Sequence, residues 1–311
     1  MDFHVRNLGW HLHRVPRRVA RHARTTLFPR HRRPPAPGAF IDVDGMRVHV
    51  ETRGSGSPSI LLLHGYLGST ATWYPAMPLL ARHLRVVAVD LPGGGYAARP
   101  RDASYTLPWF AELLPRLLDA LDLHRPFIAA HSFGGAVALH ALARNPSLAR
   151  GLVLISPLVQ GDRPPPGLRF AERFPGVARA FFGSPVGRAV MPALVRRAGF
   201  TTSARDMPLR ARRLLGHLDA AGGWEAATRM GLSAANHAPG PDVLRRVTVP
   251  CLLFWGRHDP VHSVDVGHRL LRQLGGPATL KELPVSHNCH DEAADAFAAH
   301  VLDWVSTLST G

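Results

Sequence analysis

Short, uniformly apolar runs recur along this chain, and they constrain its fold more than any other feature. Each run has four or five residues, too few for a helix, and none alternates polar with apolar side chains. The runs are Ile60–Leu63, Val86–Val89, Phe127–Ala130, Leu152–Ile155 and Cys251–Trp255. A strand without a polar face is buried on both sides, as the strands of parallel sheets are. These runs therefore predict a central, mostly parallel sheet.

Segments with helical spacing separate these runs. Trp109–Leu121, Phe133–Ala143 and Ala293–Leu308 repeat apolar side chains at three- and four-residue intervals. Two more segments, Met46–Thr52 and Thr279–Leu283, are typical of strands. Regular alternation of strand and helix favours right-handed crossovers. We therefore predict an α/β fold, with a mostly parallel, doubly wound sheet.

The alternation stops in a proline- and arginine-rich stretch that has no convincing strand pattern. Its helical pieces are Val177–Phe182, Val190–Arg197 and Leu209–Leu218. An insertion of this kind between two strands predicts a helical lid over the C-terminal edge of the sheet. The predicted parts of the chain are an N-terminal extension at residues 1–39, a first core part at 40–158, the lid at 159–247, and a second core part at 248–311.

The extension at residues 1–39 is strongly basic, with nine arginines against Asp2. Leu8, Leu12 and Val19 fall on one face of a helix, which Pro16 would kink or divide. Such a stripe can lie in a lipid interface while the arginines meet anionic headgroups. Peripheral contact with an anionic membrane is therefore one prediction. The alternatives are a solvated extension or a helix that packs back on the domain.

The formal net charge of +15 comes almost wholly from arginine, since Lys281 is the one lysine. No helix-turn-helix, zinc-finger or aromatic RNA-binding pattern accompanies this charge, so we predict no nucleic-acid partner. The two cysteines, Cys251 and Cys289, suggest no disulfide framework and favour a reducing compartment. No run is long enough to span a bilayer, and no secretory signal is recognisable. We therefore predict a cytoplasmic protein, membrane-peripheral if the extension binds lipid.

A serine stands between a predicted strand and a predicted helix. Ser132 lies in Ala130-His131-Ser132-Phe133-Gly134-Gly135, where small residues at 130 and 134 permit a sharp turn. Such a turn exposes the serine above the sheet, and the positive end of the following helix faces developing negative charge. The alternative is a serine that only caps the helix. We predict that Ser132 is a nucleophile.

A second motif, beginning His64-Gly65-Tyr66, directly follows another predicted strand. Acyl transfer builds an oxyanion, which two preorganised backbone amides stabilise best. We predict that the amides of Tyr66 and Phe133 form this pair, with His64, Gly65 and Gly134 as supporting residues. His64 is predicted to brace the loop rather than to transfer protons.

Two further residues complete a candidate triad. Asp259 and His287 each lie just beyond a predicted strand, where loops of open α/β sheets gather catalytic groups. We predict that His287 is the base and that Asp259 orients it. His290 is the nearest alternative base among the 19 histidines. His258 is predicted to face solvent, and His131 to point into the packed side of the serine turn.

These motifs resemble the alpha/beta hydrolase family of the lipase, esterase and C–C hydrolase type, over about residues 40–308. The motifs that carry the resemblance are His64-Gly65, Asp90-Leu91-Pro92-Gly93, the segment 130–135, Asp259-Pro260, and His287 with Glu292. The resemblance implies an oxyanion loop, a nucleophile, an acid and a base at these positions. After Asp-Leu-Pro-Gly the family usually has His, Gly and then Ser, where this chain has Gly94, Gly95 and Ala97. Haloalkane dehalogenases and epoxide hydrolases use Asp at the nucleophile position, so Ser132 argues against them.

The leading prediction is hydrolysis of a carboxylic ester through an acyl-enzyme on Ser132. The phenylalanine, leucine and valine content of the predicted lid favours a lipid-like ester, and the predicted partner is a small acyl substrate. C–C bond hydrolases and cofactor-free peroxidases use the same triad and remain alternatives, as does a non-catalytic binding protein on this scaffold. No metal or cofactor is predicted, because the chain lacks His-Glu-x-x-His and paired-cysteine spacings.

Overall fold

The computed structural model describes residues 35–161 and 220–309, together with the positions 177, 180, 181, 184, 186, 187, 190, 217 and 218. The chain divides into two units, Met1–Ala36 and Pro37–Gly311. The predicted basic extension lies almost wholly outside the described residues. Most of the predicted lid, including the greater part of its three helical pieces, lies outside them too. Both parts of the chain therefore remain predictions.

Eight strands form one sheet within the described residues. They are β1 (Ala39–Val43), β2 (Met46–Arg53), β3 (Ser59–Leu63), β4 (Arg85–Val89), β5 (Phe127–His131), β6 (Gly151–Ile155), β7 (Cys251–Gly256) and β8 (Ala278–Leu283). Their order across the sheet is β1-β2-β4-β3-β5-β6-β7-β8. Strand β2 pairs antiparallel with β1 and β4, and every other pairing is parallel. The structure confirms the predicted mostly parallel sheet.

Eight α-helices have described bounds. They are α1 (Met77–Leu80), α2 (Leu107–Ala120), α3 (Phe133–Arg144), α4 (Gly223–His237), α5 (Pro241–Leu244), α6 (Val264–Gln273), α7 (Cys289–Glu292) and α8 (Ala294–Ser309). Helices α4 and α5 belong to the stretch predicted as the lid. No helix within the described residues is both long and apolar enough to cross a membrane.

The sheet is buried because helices cover both of its faces. Successive side chains of a strand point to opposite faces, and β3 shows the result. Leu61 and Leu63 pack in a cluster with side chains of α2, α3 and α6. Ile60 and Leu62 pack on the other face with side chains of α1 and α8. This double covering explains why the central strands have no polar face, and it confirms the doubly wound architecture.

Several elements were not predicted from the sequence: β1, α6, and the helices α1, α4, α5 and α7. Of these, β1 and α6 show why. Strand β1 begins at Ala39, the last residue assigned to the extension. Four of its five residues are apolar, but so short a pattern does not identify a strand. Helix α6 is largely polar and buries only Val266, Gly267 and Leu270. In both elements the burial of a few side chains against the folded domain decides the structure, and the local pattern is too short or too polar to show it.

Both cysteines are free and buried. Burial raises the pKa of the Cys251 thiol to about 12. Burial also raises the pKa of the Cys289 thiol, with the charges of Asp259 and Glu292 acting in the same direction. A thiol is a poor nucleophile and metal ligand, so neither cysteine is prepared for chemistry.

Candidate active site

The turn between β5 and α3 holds Ser132 in a strained conformation. Its φ of 48° and ψ of −110° lie outside the regions that non-glycine residues favour, at a cost of about 1–3 kcal/mol. Backbone hydrogen bonds hold the turn: the Ser132 amide donates to Ile155, and its carbonyl accepts from Ala136 and Leu158. Ser132 is 8% exposed, at the C-terminal edge of the sheet. Such a turn presents a serine hydroxyl to a substrate.

The amides of Tyr66 and Phe133 are open at the same edge. Within the described part of the chain, neither amide donates a hydrogen bond to another group. Phe133 is the first residue of α3, so its amide is one of the helix's unpaired N-terminal donors. A pair of uncommitted amides is what a developing oxyanion requires. Their catalytic role stays a prediction.

Two glycines let the strand ends approach the serine turn. A Cβ atom at Gly65 would stand 2.6 Å from His131 Nδ1 and 3.2 Å from Ser132 Cβ. A Cβ atom at Gly134 would stand 2.6 Å from the carbonyl oxygen of His64. Any side chain at either position would therefore push the loop after β3 away from the serine.

His64 braces the loop from inside. Its Nε2 accepts a hydrogen bond from the Leu91 amide at 2.9 Å. Its Nδ1 lies 2.8 Å from the Gly65 carbonyl and donates to it. With one nitrogen accepting and the other donating, the ring is neutral. Burial lowers the pKa of His64 and favours the same state. The ring thus ties the β3 and β4 loops together.

Asp259 and His287 meet beyond the ends of β7 and β8. His287 Nδ1 lies 2.8 Å from Asp259 Oδ2, and the Asp259 side chain is fully buried. The other carboxylate oxygen accepts from the amides of Val261 and His262. Burial alone would raise the pKa of Asp259, but the His287 charge and these hydrogen bonds hold it below its ordinary value. A carboxylate at Nδ1 places the proton there and leaves Nε2 as the basic nitrogen.

The loop after β7, which carries Asp259 (the acid loop), is joined through its backbone to the loop after β8, which carries His287 (the base loop). The His258 amide donates to the Val285 carbonyl at 3.0 Å. A Cβ atom at Gly256 would stand 1.9 Å from the Ser286 carbonyl oxygen, so only glycine permits this approach. The side chain of His258 is exposed, as predicted. The distance between Asp259 and His287 is therefore set by the sheet and by its two loops.

His131 connects the base loop to the serine turn. Its Nε2 donates to the His287 carbonyl at 3.1 Å, and the two rings are 4.8 Å apart. Burial, followed by the charges of His287 and His290, holds the pKa of His131 well below its ordinary value. His290 is fully buried, with its ring 4.2 Å from that of Trp73. The hydrogen bond to Asp259 thus belongs to His287 and not to the alternative base.

A second His–Asp pair lies at the end of β4 and was not predicted from the sequence. His49 Nδ1 is 2.8 Å from Asp90 Oδ2, and both side chains are fully buried. His49 Nε2 contacts the carbonyl oxygen of Pro37. Asp90 also accepts from the amides of Thr70 at 2.6 Å and Tyr96 at 2.7 Å. The sequence signal is a histidine between two buried valines in a strand, since a buried polar side chain requires a partner.

The partners of His49 determine its charge. A carboxylate and a carbonyl both accept hydrogen, so each ring nitrogen must carry a proton. Burial alone would lower the pKa of His49, but the hydrogen bonds to Asp90 and Pro37 raise it overall. The same carboxylate explains the glycine at position 95, which agrees with the family pattern. A Cβ atom at Gly95 would stand 1.9 Å from Asp90 Oδ2, so the Gly94-Gly95 turn folds tightly over the pair.

Sequence reasoning also missed the backbone that supports the acid. In the structure the amides of Val261 and His262 hold Asp259, and the His262 carbonyl accepts from the Trp255 indole at 2.8 Å. An aspartate followed by proline commonly bonds to amides two or three residues later. The sequence Asp259-Pro260 was therefore an available signal.

Comparisons with known proteins agree with this geometry. The family model of the alpha/beta hydrolase fold matches residues 58–294. The 2-hydroxymuconate semialdehyde hydrolase of a Pseudomonas species is 36% identical over 124 residues, which are 39% of this chain and 44% of that protein. The dihydrolipoyllysine-residue acetyltransferase component of the acetoin cleaving system of Cupriavidus necator is 36% identical over 123 residues, 40% of this chain and 33% of that protein. The matched region thus spans less than half the length of each of these curated relatives.

A solved structure shows the same fold. The enol-lactonase from Burkholderia xenovorans superposes with a TM-score of 0.74 at 21% identity, covering 86% of this chain and all of that chain. At this identity the likeness concerns the fold alone.

Proposed function

Because the chain belongs to the alpha/beta hydrolase fold family, whose members are hydrolytic enzymes, we propose that it cleaves a carboxylic ester through an acyl-enzyme on Ser132. The observation that carries the proposal is the 2.8 Å hydrogen bond from His287 Nδ1 to Asp259 Oδ2. It leaves the basic nitrogen of His287 for the strained serine, beside two uncommitted amides. Structural serines need neither a paired base nor open donors.

The proposed reaction proceeds in two steps. His287 Nε2 takes the hydroxyl proton of Ser132 as its oxygen attacks the acyl carbon, and the Tyr66 and Phe133 amides stabilise the oxyanion. The protonated His287 then donates to the departing alkoxide, which leaves as an alcohol. In the second step water gives a proton to the same histidine and attacks the acyl carbon. His287 then returns this proton to the Ser132 oxygen as the bond to the acyl group breaks and the acid is released. Asp259 keeps the Nδ1 proton in place and stabilises the imidazolium in both steps.

The described part of the predicted lid supports an apolar acyl group. The large apolar side chains exposed in the described part of the chain all lie in this stretch: Val177, Phe181, Val186 and Val190. Exposed apolar side chains that cluster in one stretch of the chain can mark contact with an apolar ligand or surface. We propose a lipid-like ester as the substrate class.

A series of p-nitrophenyl esters of increasing acyl length tests the proposal. We expect turnover by the wild-type chain, with kcat/KM rising with chain length, and no measurable turnover by S132A. Labelling with a fluorophosphonate at Ser132 separates an enzyme from a non-catalytic binding protein on this scaffold. Absence of both labelling and turnover would reject the hydrolase.

C–C bond hydrolysis is the second candidate, because the relative from the Pseudomonas species is named as a semialdehyde hydrolase. Cleavage of a vinylogous diketone, followed by the change in absorbance as conjugation is lost, tests this candidate. A kcat/KM for such a diketone above that for every ester would select this function. Peroxide-dependent halogenation, measured on the same preparation, tests the cofactor-free peroxidase alternative.

A further inference from the structure

A cleft lined by arginines lies apart from the candidate triad. Its volume is about 180 Å³, far above the roughly 10–15 Å³ that one water molecule requires. The loop after β4 forms one wall, and the first turns of α4 form the other. Three arginines line it, Arg99, Arg101 and Arg229, together with one acidic residue, Glu225.

Two of these arginines are not neutralised. Within the described part of the chain, neither Arg101 nor Arg229 forms an ion pair with a carboxylate. Arg101 is exposed, and no described group accepts a hydrogen bond from its side chain. Arg229 uses Nη1 on the Arg101 carbonyl at 2.8 Å, and its guanidinium lies over the Tyr105 ring. Its other four N–H groups donate to no group within the described residues.

The third arginine shapes the wall. Arg99 donates to the carbonyls of Gly95 at 2.7 Å and Ala97 at 3.0 Å. It also reaches the His217 carbonyl at 3.4 Å. Its charge is thus fixed at the cleft by the backbone of the loop. Burial raises the pKa of Tyr105, which also lines the cleft, to about 12. The charges of Arg229 and Arg99 act to lower this pKa, and those of Glu225 and Asp102 act to raise it.

We propose that this cleft binds a phosphate group. Guanidinium forks match the geometry of phosphate oxygens and bind them in bidentate fashion. Three arginines around one cavity suit a phosphate dianion, whereas a ligand with one carboxylate group would need only one guanidinium. Glu225 opposes the charge of the ligand and limits the affinity. The proposal concerns binding alone and does not depend on ester hydrolysis at Ser132.

Thermal unfolding and calorimetric titration of the full chain with inorganic phosphate test the proposal at constant ionic strength. We expect saturable binding that R101Q weakens about tenfold, the loss expected for a charge-assisted contact. R229K, which keeps the charge and loses the fork, should weaken binding as well. E225Q should tighten binding several-fold, because it removes the repelling charge.

R82Q is the matched control, because Arg82 is exposed in the turn between α1 and β4 and its loss removes the same charge. All variants keep the basic extension, so any contribution from residues 1–39 is common to them. Arg101 is exposed, and R101Q should unfold at the wild-type temperature without phosphate. Equal affinity of wild type, R101Q and R229K would overturn the proposal. Equal binding of acetate and phosphate would overturn it too.

Two further ligands identify the source of the phosphate. Glycerol 3-phosphate represents a soluble phosphomonoester, and dihexanoyl phosphatidic acid below its critical micelle concentration represents a lipid headgroup. Equal affinities, both weakened by R101Q, indicate a soluble phosphate ester. Tighter binding of the lipid, again weakened by R101Q, indicates a headgroup. Both results support the site. Binding of either compound that R101Q leaves unchanged would place it elsewhere.

Discussion

Two buried His–Asp pairs of this molecule have the same primary contact and different surroundings. In each pair a histidine Nδ1 lies 2.8 Å from an aspartate Oδ2: His49 with Asp90, and His287 with Asp259. The first pair ties strand β2 to the loop after β4. The second lies at the ends of β7 and β8, beside the serine turn.

The second ring nitrogen distinguishes the two pairs. His49 Nε2 contacts the Pro37 carbonyl, so both ring nitrogens donate and the ring is charged. No hydrogen bond to His287 Nε2 is found among residues 35–161 and 220–309. A carboxylate at Nδ1 therefore does not by itself indicate a catalytic histidine. A histidine with a second acceptor is a structural cation, and one with an open Nε2 is available as a base.

The largest expected effect is on activity, and it comes from changing His287 of the second pair. H287A should reduce kcat for ester hydrolysis by about a million-fold, the loss seen when a base is removed from a serine protease triad. H258A is the matched control, because His258 is a neighbouring but exposed histidine, and it should keep wild-type turnover. An H287A enzyme that retained more than a tenth of the activity would remove His287 from the proposed mechanism.

D259N tests the orientation of the base. The amide keeps the shape of the carboxylate but favours the wrong tautomer of His287, and we expect kcat to fall about 10⁴-fold. The variant should remain folded, as judged by circular dichroism and urea unfolding. A kcat within tenfold of the wild type would mean that another group orients the histidine.

D90N should have the opposite effect to H287A and D259N: it should lower the stability of the fold and leave the activity unchanged. Removing one partner of a buried ion pair leaves an uncompensated charge, and we expect the free energy of unfolding to fall by about 3–5 kcal/mol. Turnover per folded molecule should stay close to the wild type. Urea unfolding and active-site titration measure the two quantities separately. A folded D90N protein with 10⁴-fold lower kcat would show that the two pairs are not functionally distinct.

The charged state of His49 predicts a dependence of stability on pH. Its pKa is raised in the folded protein, so its contribution is fully present below the unfolded-state pKa. The contribution is lost as pH rises through the folded-state pKa. The free energy of unfolding of the wild type should therefore fall across this window relative to H49Q. Parallel pH profiles for the two proteins would show that His49 is neutral when folded.

The smallest effect concerns the partner of His49 Nε2. A chain that begins at Pro35 keeps the Pro37 carbonyl, whereas one that begins at Phe40 loses it, at a cost of about 1 kcal/mol for the hydrogen bond. Both should hydrolyse soluble esters at the full-length rate. If the extension binds membranes as predicted, both should also lose binding to anionic vesicles at low salt. Equal vesicle flotation by all three chains would exclude a membrane role for the extension.

The sequence predicted the central strands well because their signal is local. A strand such as Ile60–Leu63 is apolar throughout, and helix α3 follows a turn that the small residues at 130 and 134 mark in the sequence. The polar network around His49 could not be predicted in the same way. Its members come from β2, the loop after β3 and the loop after β4, and only the folded sheet brings them together.

The candidate triad shows the same division. The order of Ser132, Asp259 and His287 and their places after strands were readable, since each follows an apolar run. The selection of His287 over His290 in space depends on the Asp259 hydrogen bond. The anchoring of His131 on the His287 carbonyl depends on two loops 156 residues apart. No periodicity in the chain reports such contacts.

The burial of both cysteines has a practical consequence for measuring motion in this protein. Cys251 begins β7 in the interior of the sheet, and Cys289 begins α7 next to the base loop. A thiol reagent added to the native protein reacts only when the surrounding structure opens, so the modification rate measures the free energy of that opening. Each single-cysteine variant retains one thiol. The modification rate of C289A would report opening of the sheet around Cys251, and that of C251A would report opening of the base loop around Cys289. The wild-type chain thus contains two buried reporters of local opening and needs no engineered label.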